Sequence, residues 1–266
     1  MRVTVAVVVV AVVAGIIGFA VSASRHVELD PAAPSRLPRA RRFVAERLDR
    51  ESARGLLVTV SFVIVLVVAI VVGLLLDMVA TNGGLAEHDD DIAAWGSRNA
   101  SSGAVDVLLV VTQLGSTWLL SIAMAATAFV AWLRRRTLTA LAFLAVVGIG
   151  QIVIVNVLKV VVDRDRPDVL QLVHVRGPSF PSGHSAAAAA CWLAMAIVIG
   201  VGRSRTVQAG LVAGAVVIAV AVAASRALLG VHWLTDVVAG LAIGWGWCLL
   251  VALAFRLSAS SGRRRS

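Results

Sequence analysis

Seven apolar runs constrain this chain more than any other feature. They fall at 3–21, 56–76, 117–133, 138–158, 185–201, 207–224 and 237–255, and each is near the ~20 residues that a helix needs to cross a bilayer. Hydrocarbon offers no water to unpaired backbone, so such runs must be helices or the strands of a closed barrel. None shows the alternating polar pattern of a barrel strand, which leaves helices. Hydrophobic side chains make up 59% of the residues and charged ones 15%, with a mean hydropathy of +0.93. That balance excludes an ordinary soluble domain. The expected fold is all-α, a polytopic membrane helical bundle.

The formal net charge of +9 does not indicate a nucleic-acid partner, because the basic residues lie in short clusters between apolar runs and not on one soluble face. They read as a topology signal. With the connections assigned alternately, 17 of the 24 Lys and Arg fall in 22–55, 134–137, 202–206 and 256–266. The positive-inside rule makes that side cytoplasmic. The connection from Met78 to Ser116 then lies outside, with Glu87, Asp89, Asp90, Asp91 and Asp106 against Arg98 alone.

This divides the chain into an N-terminal transmembrane helix or signal anchor at 1–24, a Pro/Arg-rich cytoplasmic connection at 25–55, a membrane core at 56–255 and a basic tail at 256–266. The first run can also be read as a signal peptide with a small-residue cleavage region at 22–24. The single arginine before it and eight after it favour an uncleaved span. Residues 101–113 are too short to span and read as an interfacial or re-entrant helix. The pairs Gly210 and Gly214, and Gly240 and Gly244, have the small-xxx-small spacing of close helix packing. Cys191 and Cys248 lie in different apolar runs and read as small buried hydrophobes.

Three polar clusters resist a packing explanation, since charge near the membrane is costly without water or a task. In "KVVVDRDRP", 159–167, Lys159 is the only lysine among 23 arginines. Seven residues separate it from Arg166, about two helical turns, which would place both on one helix face. Pro167 then turns the chain. A basic end snorkelling to the interface is the alternative reading. Arg164, Asp163, Asp165 and Asp168 read as solvated neighbours.

In "PSGH", 181–184, Ser182 has the chemistry of an N-cap, Gly183 lets backbone approach a ligand, and His184 stands in the first helical turn. A helix start of this kind attracts anions, although a plain cap reads equally well. In "SRALLGVHWLTD", 225–236, His232 and Asp236 stand at i and i+4. The carboxylate can hold one imidazole nitrogen and leave the other free as base or nucleophile. Asp236 is the only acidic residue after Asp168. His26, His88 and His174 have no such setting and read as surface residues. Three cations, a helix-start nest and two histidines make a phosphate site. The same cations would repel a divalent metal.

The pattern K-x6-R-P, P-S-G-H and S-R-x5-H-x3-D resembles the signature of the type 2 phosphatidic acid phosphatase superfamily. Lys159, Arg166 and Pro167, then Pro181, Ser182, Gly183 and His184, then Ser225, Arg226, His232 and Asp236 match every fixed position. The resemblance covers roughly 56–255 and implies a six-helix phosphatase core, with the N-terminal span as an addition. It implies that His232 attacks phosphorus, that Asp236 holds its ring and that His184 is the general acid. It further implies that Lys159, Arg166, Ser182, Gly183 and Arg226 bind the phosphate, and that no metal or other cofactor is used. Substrates implied are lipid phosphates or prenyl pyrophosphates, among them undecaprenyl pyrophosphate and phosphatidylglycerol phosphate, met at the extracytoplasmic face of the cell membrane. A phosphotransferase using the same phosphohistidine is the alternative. A non-catalytic headgroup-binding protein would be marked by loss of His184 or His232, and both are present.

Overall fold

The structure, a computed structural model, describes residues 51–99, 101–136, 138–169 and 175–262. The expected first span at 3–21, most of the 25–55 connection, His26 and His174 lie outside them. The described elements are helical: α1 (Glu51–Thr81), a 3-10 turn (Gly84–His88), α2 (Asp89–Asn99), α3 (Ser102–Gln113), α4 (Thr117–Arg135), α5 (Thr139–Val162), α6 (Gly183–Gly200), α7 (Arg205–Leu228) and α8 (Leu234–Gly262). Six of these, α1 and α4 to α8, contain segments long and apolar enough to cross a membrane. The chain is a multi-pass membrane protein with an all-helical core. The expected spans at 56–76, 117–133, 138–158, 185–201, 207–224 and 237–255 all appear, shifted by a few residues at their ends.

Helix α6 is the axis of the bundle. It contacts α8, α7, α5 and α4, while α1 lies against α8. Its sequence explains why it sits inside. Ala186, Ala188, Ala189, Ala190 and Ala194 are fully buried, and their small side chains let neighbouring backbones approach, which is how helices gain contact in a membrane. Gly240 and Gly244 on α8 meet this surface. A Cβ on Gly240 would stand 2.6 Å from the Ser182 carbonyl oxygen, and one on Gly244 would stand 2.3 Å from that of Ala186. Gly210 and Gly214 have nothing within 4 Å. The packing expected of that second pair is therefore absent among the described residues. Its spacing is the same, but α7 turns this face away from its neighbours.

Successive spans run in opposite directions, so one end of the bundle gathers the C-termini of α5 and α7 with the N-termini of α6 and α8. Helices α2 and α3 cover that same end. Helix α2 docks on the end of α7 so closely that a Cβ on Gly96 would stand 2.3 Å from the Leu228 carbonyl oxygen. Helix α3 is capped by Ser101, whose side chain accepts from Ala104 N, and packs on α7. The interfacial helix expected at 101–113 is thus present. Cys191 and Cys248 are free and buried, and His88 is exposed, each as the sequence suggested.

Candidate active site

Each polar cluster is delivered to this end by a specific helix terminus. Helix α5 stops at Val162, where Asp163 takes a left-handed conformation (φ 43°) and its N–H donates to Lys159 O. The residues up to Pro167 then run without helix, as the restriction on residues before proline favours. Lys159 and Arg166 therefore do not share a helix face, contrary to expectation. They still converge. Lys159 Nζ donates to Pro178 O at 2.5 Å, Arg166 Nη2 donates to the same oxygen at 3.3 Å, and Arg166 Nε donates to Gly177 O at 2.9 Å.

The segment before α6 is fastened on both sides. Ser179 N donates to Arg164 O at 2.7 Å, and Ser179 Oγ donates to Asp165 O at 2.8 Å. Phe180 is fully buried, packed with Val72, Leu75, Leu158, Ala239 and Ile243. Ser182 N donates to Asp236 O at 3.0 Å, which sets the start of α6 directly upon the first turn of α8. Ser182 occupies the N-cap position, but its hydroxyl makes no cap bond. It accepts from Ser185 Oγ at 2.9 Å instead. The first-turn N–H groups of α6 thus lack a side-chain cap, and such donors with the helix dipole favour an anion. A Cβ on Gly183 would meet only Val155, at 3.8 Å. Packing does not demand glycine there.

The third cluster is shaped by the end of α7. Gly230 has φ 69°, Val231 N donates to Arg226 O and Gly230 N donates to Ala227 O. These two bonds are a Schellman motif, with glycine where the left-handed residue belongs. The turn brings His232 back toward Arg226. His232 precedes α8, so its contact with Asp236 is not a side-by-side pair on one helix as expected. Asp236 lies in the first turn, and its Oδ2 reaches back to accept from Trp233 N at 3.0 Å, as the third residue of a capping box does. The same oxygen lies 3.4 Å from His232 Nδ1.

Arg166 Nη1 lies 3.3 Å from His232 Nε2. A guanidinium has no acceptor, so Nε2 presents its lone pair and the proton sits on Nδ1, facing Asp236. Burial is the largest influence on His232 and holds its pKa down to about 4, against the raising effect of Asp236. The imidazole is therefore neutral at ordinary pH. Burial also lowers the pKa of Arg166. His184 is half-buried and lies within reach of the charges of Arg226, His232, Lys159 and Arg166. Arg226 is 3% exposed. Its Nη1 donates to Thr112 Oγ1 of α3 at 3.1 Å, while its Nε has no partner. The structure thus brings Lys159, Arg166, Ser182, Gly183, His184, Arg226, His232 and Asp236 to one end of the bundle.

Arg164 is the main correction to the sequence reading. It is not a solvated neighbour: Nη1 donates to Asp236 Oδ1 at 2.8 Å and to Thr235 Oγ1 at 2.7 Å, and Nη2 donates to Asp89 Oδ2 at 2.8 Å. Asp89, read only as one of several outside acids, is buried and also accepts from Thr235 N at 3.0 Å. Reading 163–167 as extended would have placed Arg164 and Arg166 on one side, two residues apart. Nothing local pairs Asp89 with a residue 75 positions away. Asp163, Asp165 and Asp168 are exposed, as expected. Among the described residues no three His, Cys, Asp or Glu gather as the ligands of a metal would.

The fold and this arrangement define a helical membrane protein whose residues 139–259 match the PAP2 superfamily. The chain is 39% identical over 114 residues to phosphatidylglycerophosphatase B of Bacillus subtilis (strain 168). That alignment takes in 41% of this chain and 55% of the relative, so the chain spans about half the length of the curated protein it matches. Its structure is similar to that of a transmembrane PAP2 type phosphatidylglycerolphosphate phosphatase from Bacillus subtilis, with a TM-score of 0.64 and 28% identity. That likeness covers 74% of this chain and 98% of the other.

Proposed function

We propose that this chain hydrolyses phosphate mono- or pyrophosphate esters of membrane lipids through a phosphohistidine on His232, on the extracytoplasmic side of the membrane. The observation that carries this reading is Arg226, a buried cation whose Nε has no partner and whose charge lies near enough to help hold the pKa of His232 down. A buried charge is costly unless paired, and a phosphoryl group supplies the missing acceptor.

The lone pair of His232 Nε2 attacks phosphorus, and the bond from phosphorus to the lipid oxygen breaks. That oxygen takes a proton from His184. Water then attacks the phosphohistidine and gives its proton to His184. The N–P bond breaks, and phosphate leaves with His232 restored. Lys159, Arg166, Arg226, the Ser182 hydroxyl and the Gly183 N–H hold the phosphoryl oxygens as charge builds in the transition state. Asp236 fixes the ring and stabilises the positive charge that the imidazole acquires. The lipid tail stays in the bilayer, since the site lies at the ends of membrane spans. The charge bias of the connections in the sequence, with 17 of 24 Lys and Arg assigned to the other side, supports the extracytoplasmic placement.

The name of the Bacillus relative makes phosphatidylglycerol phosphate the first substrate to try. Purified protein in detergent should release phosphate from it, or from a prenyl pyrophosphate, in excess EDTA, and vanadate should inhibit. Activity that vanishes on chelation and returns with Mg²⁺ would overturn the mechanism.

A further inference from the structure

The cations at this end of the bundle are not equivalent. Lys159 and Arg166 point at backbone carbonyls that a stronger acceptor can replace, and Arg226 keeps a free Nε. Arg164 differs: Nη1 is held by Asp236 and Nη2 by Asp89. Its guanidinium also lies over the Trp233 ring, 5.1 Å from the centroid, and Trp233 Nε1 donates to Asp165 O at 2.9 Å. Arg164 has no face to offer a phosphate. It stands between two carboxylates that are 0% and 3% exposed.

The effect falls on Asp236. The terminal torsion of an aspartate is soft and roughly two-fold, so a carboxylate touched only by an imidazole can turn. Here Oδ1 is occupied by Arg164 and Oδ2 by Trp233 N, so the plane is set by two bonds of 2.8 and 3.0 Å before His232 is considered. Asp89 in turn fixes Arg164. It is anchored at the start of α8 by Thr235 N at 3.0 Å and Thr235 Oγ1 at 2.7 Å. A carboxylate from α2 thus caps α8 and aims a guanidinium at the acid that orients His232.

We propose that Arg164, held by Asp89, is a positioning residue that locks the Asp236 carboxylate so that its Oδ2 keeps His232 in the tautomer with a free Nε2. The role of His232 as nucleophile rests on the function proposed above; the lock on its tautomer does not.

Arg164→Met, Arg164→Lys, Asp89→Asn and the double variant Arg164→Met/Asp89→Asn should be compared in two ways. In steady-state turnover of phosphatidylglycerol phosphate, Arg164→Met should lower kcat at least ~10-fold with KM within about twofold, since the loss falls on orientation. Arg164→Lys should restore part of kcat. Asp89→Asn, nearly isosteric and still able to accept from Thr235 N, should act in the same direction, and the double variant should be no worse than Arg164→Met, as coupled residues are. In protein labelled with ¹⁵N-histidine, the His232 ring should show one Nδ1–H tautomer in the parent chain and tautomer exchange in Arg164→Met. A rise in KM at constant kcat, strictly additive losses, or an unchanged tautomer would each overturn the proposal. A parent chain that turns over no lipid phosphate, yet shows the tautomer change on Arg164→Met, sinks the proposed function and leaves the lock standing.

Discussion

Arg166 Nη1 stands 3.3 Å from His232 Nε2, over the one imidazole lone pair that Asp236 leaves open. In the proposed mechanism an incoming phosphoryl oxygen would draw the guanidinium onto itself and so uncover the nitrogen assigned the attack, which would join binding and activation in one exchange of partners.

The separate roles proposed for the two histidines predict separate phenotypes. His232→Ala should abolish the acid-labile phosphoenzyme and all turnover. His184→Ala should slow release of a lipid alcohol by ~10²–10⁴-fold, the usual worth of a general acid. It should slow a phosphate ester of an acidic phenol far less, because that leaving group needs no proton. Rapid-quench measurement of the phosphoenzyme on both substrates checks this, and equal losses on the two would remove His184 from the acid role.

Acid should silence the enzyme by titrating His232. Burial holds the pKa of this group down to about 4, and the protonated ring has no lone pair at Nε2. Where His232 sets the limit, kcat/KM should be sustained above that pH and lost as pH falls through it, since kcat/KM reports the free enzyme. An acid limb that stays in place when Asp236 is changed to Asn would assign it to another group.

Arg226 should separate stability from activity. Its charge is buried with one side-chain hydrogen bond and an unpaired Nε, so replacing it with an apolar residue removes a desolvation cost. Arg226→Met should keep or raise the melting temperature in detergent while activity falls by ~10²-fold or more, the scale of losing one transition-state donor. A variant that unfolds would show the arginine to be structural.

Glycines of equal spacing should behave oppositely. Gly244→Ala places a Cβ 2.3 Å from the Ala186 carbonyl oxygen, whereas Gly210→Ala meets nothing within 4 Å. Overpacking costs about 1–3 kcal/mol, and alanine gains up to ~1 kcal/mol over glycine within a helix. The first substitution should lower the melting temperature, and the second should leave it level or raise it.

The helical architecture was legible because length and hydropathy act locally: a run near 20 apolar residues has one way to satisfy its backbone in lipid. The signature residues were legible because their types announce their chemistry, as a lone lysine among arginines and a lone late aspartate do. The mode of their assembly was not. Lys159 and Arg166 were expected on one helix face, but the left-handed Asp163 ends α5 and they meet through Pro178 O. His232 and Asp236 were expected side by side on a helix, but the Gly230 turn and a capping bond bring them together.

What the sequence by itself determined is the membrane bundle and the chemical kind of its polar end, because each follows from composition and short-range spacing. Only the tertiary structure decided that Arg164 serves Asp236 and that Asp89 serves Arg164. The first joins the segment after α5 to α8 across 72 positions, and the second depends on α2 docking at the start of α8, a contact spanning 146 residues. A charged side chain reads the same in a sequence whether water or a buried carboxylate surrounds it. Its surroundings are fixed by how helices pack, and no local pattern carries that information.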